Sequence, residues 1–229
     1  MDLDLLATLR TTGAVREFTD EPVPDEVVAR LLDTARFAPS GGNRQGWHVV
    51  LLKDPAMRRQ LRDLYLVGWY DYLAMMFAGL TPWAPVTDRA AEATALAKAP
   101  ALAAQGDPNG FAENIDTVPV LLALLVDLQA LAAVDRDLDR YTFAGGASIY
   151  PFAWNLLLAA RSEGLGGVIT TMPIREEAAV LELLGAPDHY ALAGVMALGH
   201  PVHQPTRLRR ADVATFTTVD RLDGPAFPA

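Results

Sequence analysis

Phe37-Ala-Pro-Ser-Gly-Gly-Asn-Arg-Gln-Gly-Trp-His-Val-Val-Leu-Leu52 is the stretch around which this chain is organised. An apolar helix stops at Pro39, the backbone passes through Ser40, Gly41, Gly42 and Asn43, and the chain re-emerges at Trp47 as a strand of mostly branched residues. Paired glycines let main chain approach a flat or charged ligand with no Cβ in the way, and Ser and Asn supply short hydrogen-bonding arms that tolerate turn geometry. A plain helix-to-strand loop would look the same in isolation, so the decision rests on the rest of the chain.

Working towards the N-terminus, Val28, Leu31, Leu32 and Ala35 form the stripe of an amphipathic helix, with Pro24 in its first turn and Asp25 and Glu26 at its positive end. Residues 13–24 are too proline-rich for a helix and read as an extended connector carrying Arg16. Leu3, Leu6 and Leu9 align along a short helix over residues 2–10.

Downstream of the strand at 47–52, Asp54-Pro55 opens a helix that runs through Arg62 and as far as Trp69. Residues 65–117 form a helical and loop excursion rich in aromatics: Trp69, Tyr70, Tyr72, Phe77 and Trp83. Such a cluster reads either as local core or as a cover over a binding site. Residues 119–126 are apolar on both faces and so predict a central strand. Residues 127–138 read as a helix with Asp135, Arg136 and Asp137 on a solvated face. A mostly buried helix follows Gly145-Gly146 and ends at Gly164, then come a short strand at 168–171, a helix at 175–184, a strand at 190–198 and an extended basic tail. Helices and strands alternate along one chain, which predicts a single domain over residues 1–229 with a sheet covered by helices.

The 229 residues carry a formal net charge of -9 and are 51% hydrophobic, which excludes a disordered chain and disfavours nonspecific nucleic-acid or anionic-membrane binding. With no cysteine, thiolate catalysis, disulfides and iron–sulfur sites are all excluded. No metal site is expected from the four histidines, because Pro201 interrupts the one close pair, His200 and His203. Gly-x-Ser-x-Gly and P-loop spacings are absent, and Gly164-Leu-Gly166-Gly167 follows a helix rather than a strand, the reverse of a Rossmann loop. The acidic N-terminus and lack of a ~20-residue apolar run lead us to expect a soluble cytoplasmic protein. What remains is Arg16 near one end and Arg207 with Arg209 near the other, a pattern that suits either a phosphate clamp or a solubilising patch.

Four motifs in order resemble the nitroreductase family of flavin mononucleotide (FMN) proteins. They are Arg10-Thr-Thr-Gly-Ala-Val-Arg16-Glu-Phe18, Ala38-Pro-Ser-Gly-Gly-Asn-Arg-Gln-Gly-Trp47, Asn155-Leu-Leu-Leu-Ala-Ala160 with Gly164-Leu-Gly166, and Leu198-Gly-His-Pro201. The resemblance implies an α+β fold, a mixed central sheet wrapped by helices, and an intertwined homodimer with flavin at the subunit interface. It further implies an oxidoreductase in which NAD(P)H reduces FMN and the flavin N5 passes hydride, in ping-pong fashion, to a small flat acceptor such as a nitroaromatic or quinone. No catalytic side chain, nucleic acid or membrane is implied. By the same resemblance Thr12, Gly13, Ala14 and Arg16 occupy the opening motif, with Arg16 at the N1/O2 edge of the ring. Pro39, Ser40 and Asn43 would line ring and ribityl chain, Thr170 and Thr171 would face N5, and Arg207 and Arg209 would hold the phosphate. This chain has Thr12, Gly13 and Ala14 where the family has two arginines and a serine, and Gly46 where it has proline. That departure leaves Arg10 and the tail arginines to compensate. Related flavin reactions (dehalogenation or flavin cleavage) and a non-catalytic flavin-sequestering role are the alternatives.

Overall fold

The computed structural model describes residues 4–108 and 110–227. Its centre is a four-stranded sheet of β1 (Trp47–Leu51), β2 (Val120–Asp127), β3 (Gly166–Thr170) and β4 (Tyr190–Gly199), in the order β1-β2-β4-β3. All three strand pairings are antiparallel. The mixed sheet expected from the family therefore reduces to one parallel contact, an isolated bridge from Ala14 to Gly167 on the outer edge of β3.

Among the described residues seven α-helices surround the sheet: α1 (Leu5–Thr11), α2 (Asp25–Ala35), α3 (Pro55–Phe77), α4 (Arg89–Leu96), α5 (Ala99–Gln105), α6 (Tyr150–Ser162) and α7 (Glu177–Leu183). The two-residue period of β2 assigns its faces. Val120, Leu122, Leu124 and Val126 pack into the core with α2 and α6, while Leu121, Ala123 and Leu125 pack with α3 and Val180 of α7. Burial on both faces explains why β2 has no polar side chain before Asp127. A bulge between Leu124 and Leu125, opposite Gly194, shifts the register of β4.

Several elements differ from the sequence expectation. Helix α3 continues past Trp69 to Phe77, capped by Asp54, whose Oδ1 accepts from the Ala56 amide at 2.6 Å. Residues 127–138 contain no helix. Asp135, which reads as a solvated charge, is 3% exposed. Its carboxylate accepts from the amides of Phe143 (2.9 Å) and Ala144 and from Arg140 (2.9 Å). Those local bonds compete with helical ones and close a loop instead. The helix expected at 175–184 splits into a 3-10 turn at Met172–Glu176 and α7. Leu3 of the proposed leucine stripe lies outside the described residues, and Leu5 and Leu6 of α1 are 69% and 60% exposed.

Candidate functional site

The N-terminal connector and the tail meet beside β3. Val15 donates its amide to the Gly167 carbonyl at 2.9 Å, which lays residues 14–16 along the sheet edge. Gly13 sits so close to the tail that a Cβ there would lie 2.8 Å from Leu208 Cδ2. A side-chain-free position thus lets the strand of arginines that flanks Leu208 approach the opening segment. Leu9, Arg10, Trp154, Thr206, Arg207, Leu208 and Arg210 line a cavity of about 550 Å³ at this junction.

Charge at the junction is uncompensated. Among the described residues, Arg10, Arg16, Arg207, Arg209 and Arg210 have no carboxylate within 4.0 Å, although the chain holds 28 acidic residues. Guanidinium forks without a carboxylate partner suit an anion such as phosphate. Arg10, Arg207 and Arg210 line the cavity; Arg209 lies outside it, its carbonyl accepting from the Arg210 guanidinium at 2.7 Å. Thr12 is 5% exposed and its hydroxyl donates to the Thr8 carbonyl at 2.7 Å, closing the end of α1.

Arg16 belongs to a second group reached from α3. Tyr65, 2% exposed, accepts a hydrogen bond at 3.3 Å from Thr170 Oγ1 at the end of β3. Burial pushes the Tyr65 phenol above its ordinary range, while the Thr170 hydroxyl and the positive charge of Arg16 oppose that rise. The phenol is therefore neutral at physiological pH. Gly68, one turn on, makes this closeness possible: a Cβ there would lie 2.5 Å from the Met172 carbonyl, just past Thr171. Thr171 is exposed at the start of the 172–176 turn.

The bend at 40–45 is built differently. Gly42, Asn43 and Gln45 have φ of +62°, +53° and +52°, a concentration of left-handed backbone that strains Gln45 in particular. Ser40 Oγ accepts from the Gln45 amide at 2.9 Å, Asn43 Oδ1 accepts from Gln45 Nε2 at 3.2 Å, and Ser148 Oγ accepts from the Gly41 amide at 2.9 Å. These bonds hold the bend while leaving Pro39 and the Asn43 side chain exposed. The bend feeds β1, at the opposite edge from β3. Three interstrand spacings, about 14 Å, separate those edges. Within one chain, then, Gly13 and Ala14 meet the tail and the β3 edge, with Arg207 lining the cavity there, while Arg16 and Thr170 meet at Tyr65; Pro39, Ser40 and Asn43, at the other sheet edge, join neither group.

Sequence reasoning missed Tyr65 and Ser148. The aromatic density around Tyr65 marked its region, but no local pattern shows which aromatic meets Thr170, 105 positions away. The dense aromatics are part core and part wall: Tyr70 packs with Ala74 and Ala99, whereas Trp69 lines a cavity beside Arg16.

A profile described as "Nitroreductase family" matches residues 9–200. The chain belongs to the nitroreductase family. Among its nitroreductase-family relatives, it is 28% identical over 198 residues to "Iodotyrosine deiodinase 1" of Mus musculus, covering 86% of this chain and 62% of that protein. The chain thus spans about three-fifths of the length of the deiodinases it matches. It is 25% identical over 201 residues to the "Putative NADH dehydrogenase/NAD(P)H nitroreductase" of Archaeoglobus fulgidus, covering 86% of each. The nitroreductase fold is shared with nitroreductase A from Vibrio parahaemolyticus at a TM-score of 0.65 and 22% identity, over 95% of this chain and 76% of the other. No helix among the described residues is long and apolar enough to cross a membrane.

Proposed function

We propose that this nitroreductase-family chain is an FMN-dependent oxidoreductase that draws electrons from NAD(P)H and delivers them to a flat acceptor such as a nitroaromatic or quinone. The observation that carries the reading is the set of unpaired arginines gathered around Gly13 and Leu208. In so acidic a chain they fit a phosphorylated ligand better than a solubilising patch, which would neutralise itself against nearby carboxylates. Names of relatives support the same reading, including the "NADH dehydrogenase" of Thermus thermophilus, 27% identical over 202 residues. So does the fold shared with the "NADPH:FMN oxidoreductase" from Vibrio harveyi at a TM-score of 0.65.

Bound FMN supplies hydride exchange at its ring N5, so the protein needs to contribute position and electrostatics rather than an acid or base. Arg10 and Arg207 hold the phosphate, with Arg209 and Arg210 adding positive field. Arg16 brings a cation to the ring site, which favours the electron-rich state. Thr171 offers a donor just past the end of β3, while Thr170, whose hydroxyl proton goes to Tyr65, presents its oxygen as an acceptor. Pro39, Ser40 and Asn43 are supplied by a second copy, because the bend and the arginines lie on opposite sheet edges. A homodimer would also cover Leu5 and Leu6 of α1 and Trp154 of α6, which is 41% exposed.

An absorbance spectrum of the purified protein tests the reading: flavin bands as isolated, or their red-shift and sharpening on adding FMN, are expected. Protein that is colourless and takes up no FMN would sink it. Anaerobic addition of nicotinamide should then bleach the bands; bleaching by dithionite alone would leave a flavin-sequestering role instead. Similarity to the deiodinases favours reductive dehalogenation as a second reading, and iodide release from 3-iodotyrosine measured beside nitroaromatic reduction separates the two.

A further inference from the structure

A cavity of about 740 Å³ opens beside Arg16, between the 16–20 connector, Trp69 of α3, and residues 107–108 and 110–119. Three of its walls are aromatic: Phe18, Trp69 and Phe111. Trp69 and Phe111 both pack on Tyr65, with ring centroids 6.4 and 6.5 Å away. The cavity therefore shares Arg16 with the proposed ring site and is separated from Tyr65 by the rings of Trp69 and Phe111.

Its charge is lopsided. Glu17, Asp20 and Asp107 line it against the single cation Arg16, and among the described residues none of the three carboxylates has a cation within 4.0 Å. Asp107 is held at the wall by local structure. Asn114 Nδ2 donates to the carbonyls of Pro108 and Gly110 at 2.8 and 2.9 Å, and a Cβ on Gly110 would lie 2.5 Å from Asp107 Oδ2. When Arg16 serves the flavin, three carboxylates remain to face whatever stacks between the aromatic walls.

We propose that this cavity is the acceptor subsite and that it selects flat aromatic molecules carrying a cationic substituent over anionic ones of similar shape. Aromatic walls supply stacking area and, through their negative faces, attract an onium group; the carboxylates supply the sign. The inference rests on the flavin reading for what is reduced, but not for what is bound.

The test is calorimetric titration of the full chain, both flavin-free and FMN-loaded, with benzyltrimethylammonium and with phenylacetate. Neither probe can be reduced, so binding is read apart from turnover. The cation should bind about tenfold more tightly or better, a preference that shrinks as salt is raised. Asp20→Asn combined with Asp107→Asn should bring the two probes to within about twofold, with the thermal midpoint and flavin content retained. Single-turnover reduction of 4-nitrobenzyltrimethylammonium should likewise outpace that of 4-nitrobenzoate. Equal affinities, a preference for the anion, no cation binding at millimolar concentration, or a preference untouched by the double substitution would each overturn the subsite. If FMN binds and is reduced while charge selection is missing, the subsite fails and the flavin reading stands. If the cation binds but FMN never does, the acceptor role falls with the flavin reading.

Discussion

The two edges of the sheet hold their candidate ligand groups in opposite ways. At the β1 edge the 40–45 bend is satisfied internally: Ser40 and Ser148 accept from backbone amides of the strained bend, and Asn43 accepts from the Gln45 side chain. At the β3 edge α1, the connector and the tail leave five arginines without an acidic partner among the described residues, and Gly13 gives up a side chain so that the tail can approach. One edge is preorganised shape; the other is unspent charge. A ligand that needs both must span the ladder or draw one of them from a second copy of the chain.

The sharpest break of this contrast is Arg10→Ala with Arg207→Ala. Removing two charge-assisted contacts should weaken FMN binding by about 100-fold, measured by fluorescence quenching, while the flavin-free protein keeps its melting point. A melting point that falls instead would make these arginines structural. Next in size is a mixing test of the two-chain site. Arg16→Ala protein and Asn43→Ala protein, each impaired, should on subunit exchange recover about a quarter of wild-type flavin sites, because half the dimers are mixed and each of those holds one intact site. No recovery would place both edges' contributions within one chain. Ser148→Ala removes the acceptor for the Gly41 amide and should loosen the bend by about 1–3 kcal/mol, raising the FMN dissociation constant while leaving the β3-edge cavity unchanged.

The smallest effect is a pH dependence. Amides of Phe143, first, and then the Arg140 guanidinium hold the Asp135 carboxyl below its ordinary range. Its folded-state pKa is depressed, so the stability it contributes is present above the unfolded value and is lost as pH falls through the folded one. Urea unfolding between neutral and acidic pH should show that loss, and Asp135→Asn should flatten it.

How much of this was legible in the chain differs by element. The β2 run at 119–126 and the bend before Trp47 read correctly because both depend on neighbours in sequence: an unbroken apolar run, and a glycine pair between a proline and a branched strand. The 127–138 segment misread because a charged alternation looks solvated until Asp135 is found folded back on Phe143 and Ala144. Tyr65 was invisible as a site residue, since its phenol meets Thr170 across 105 positions. Arg209 and Arg210 show the same limit. Extended spacing groups Arg207 with Arg209, whereas the cavity beside α1 takes in Arg207 and Arg210.

By itself, the amino-acid order determined a sheet covered by helices, the identity of the charged groups and, through four ordered motifs, the family whose resemblance implies the α+β class, because periodicity, glycine placement and motif spacing are local properties of a chain. Only the tertiary structure decided that the strands run antiparallel, that Tyr65 backs Thr170, and that the bend and the arginines stand at opposite edges of one sheet. Those outcomes depend on strand order and on contacts between distant segments, which hydrogen-bond geometry and packing select and which no local pattern encodes.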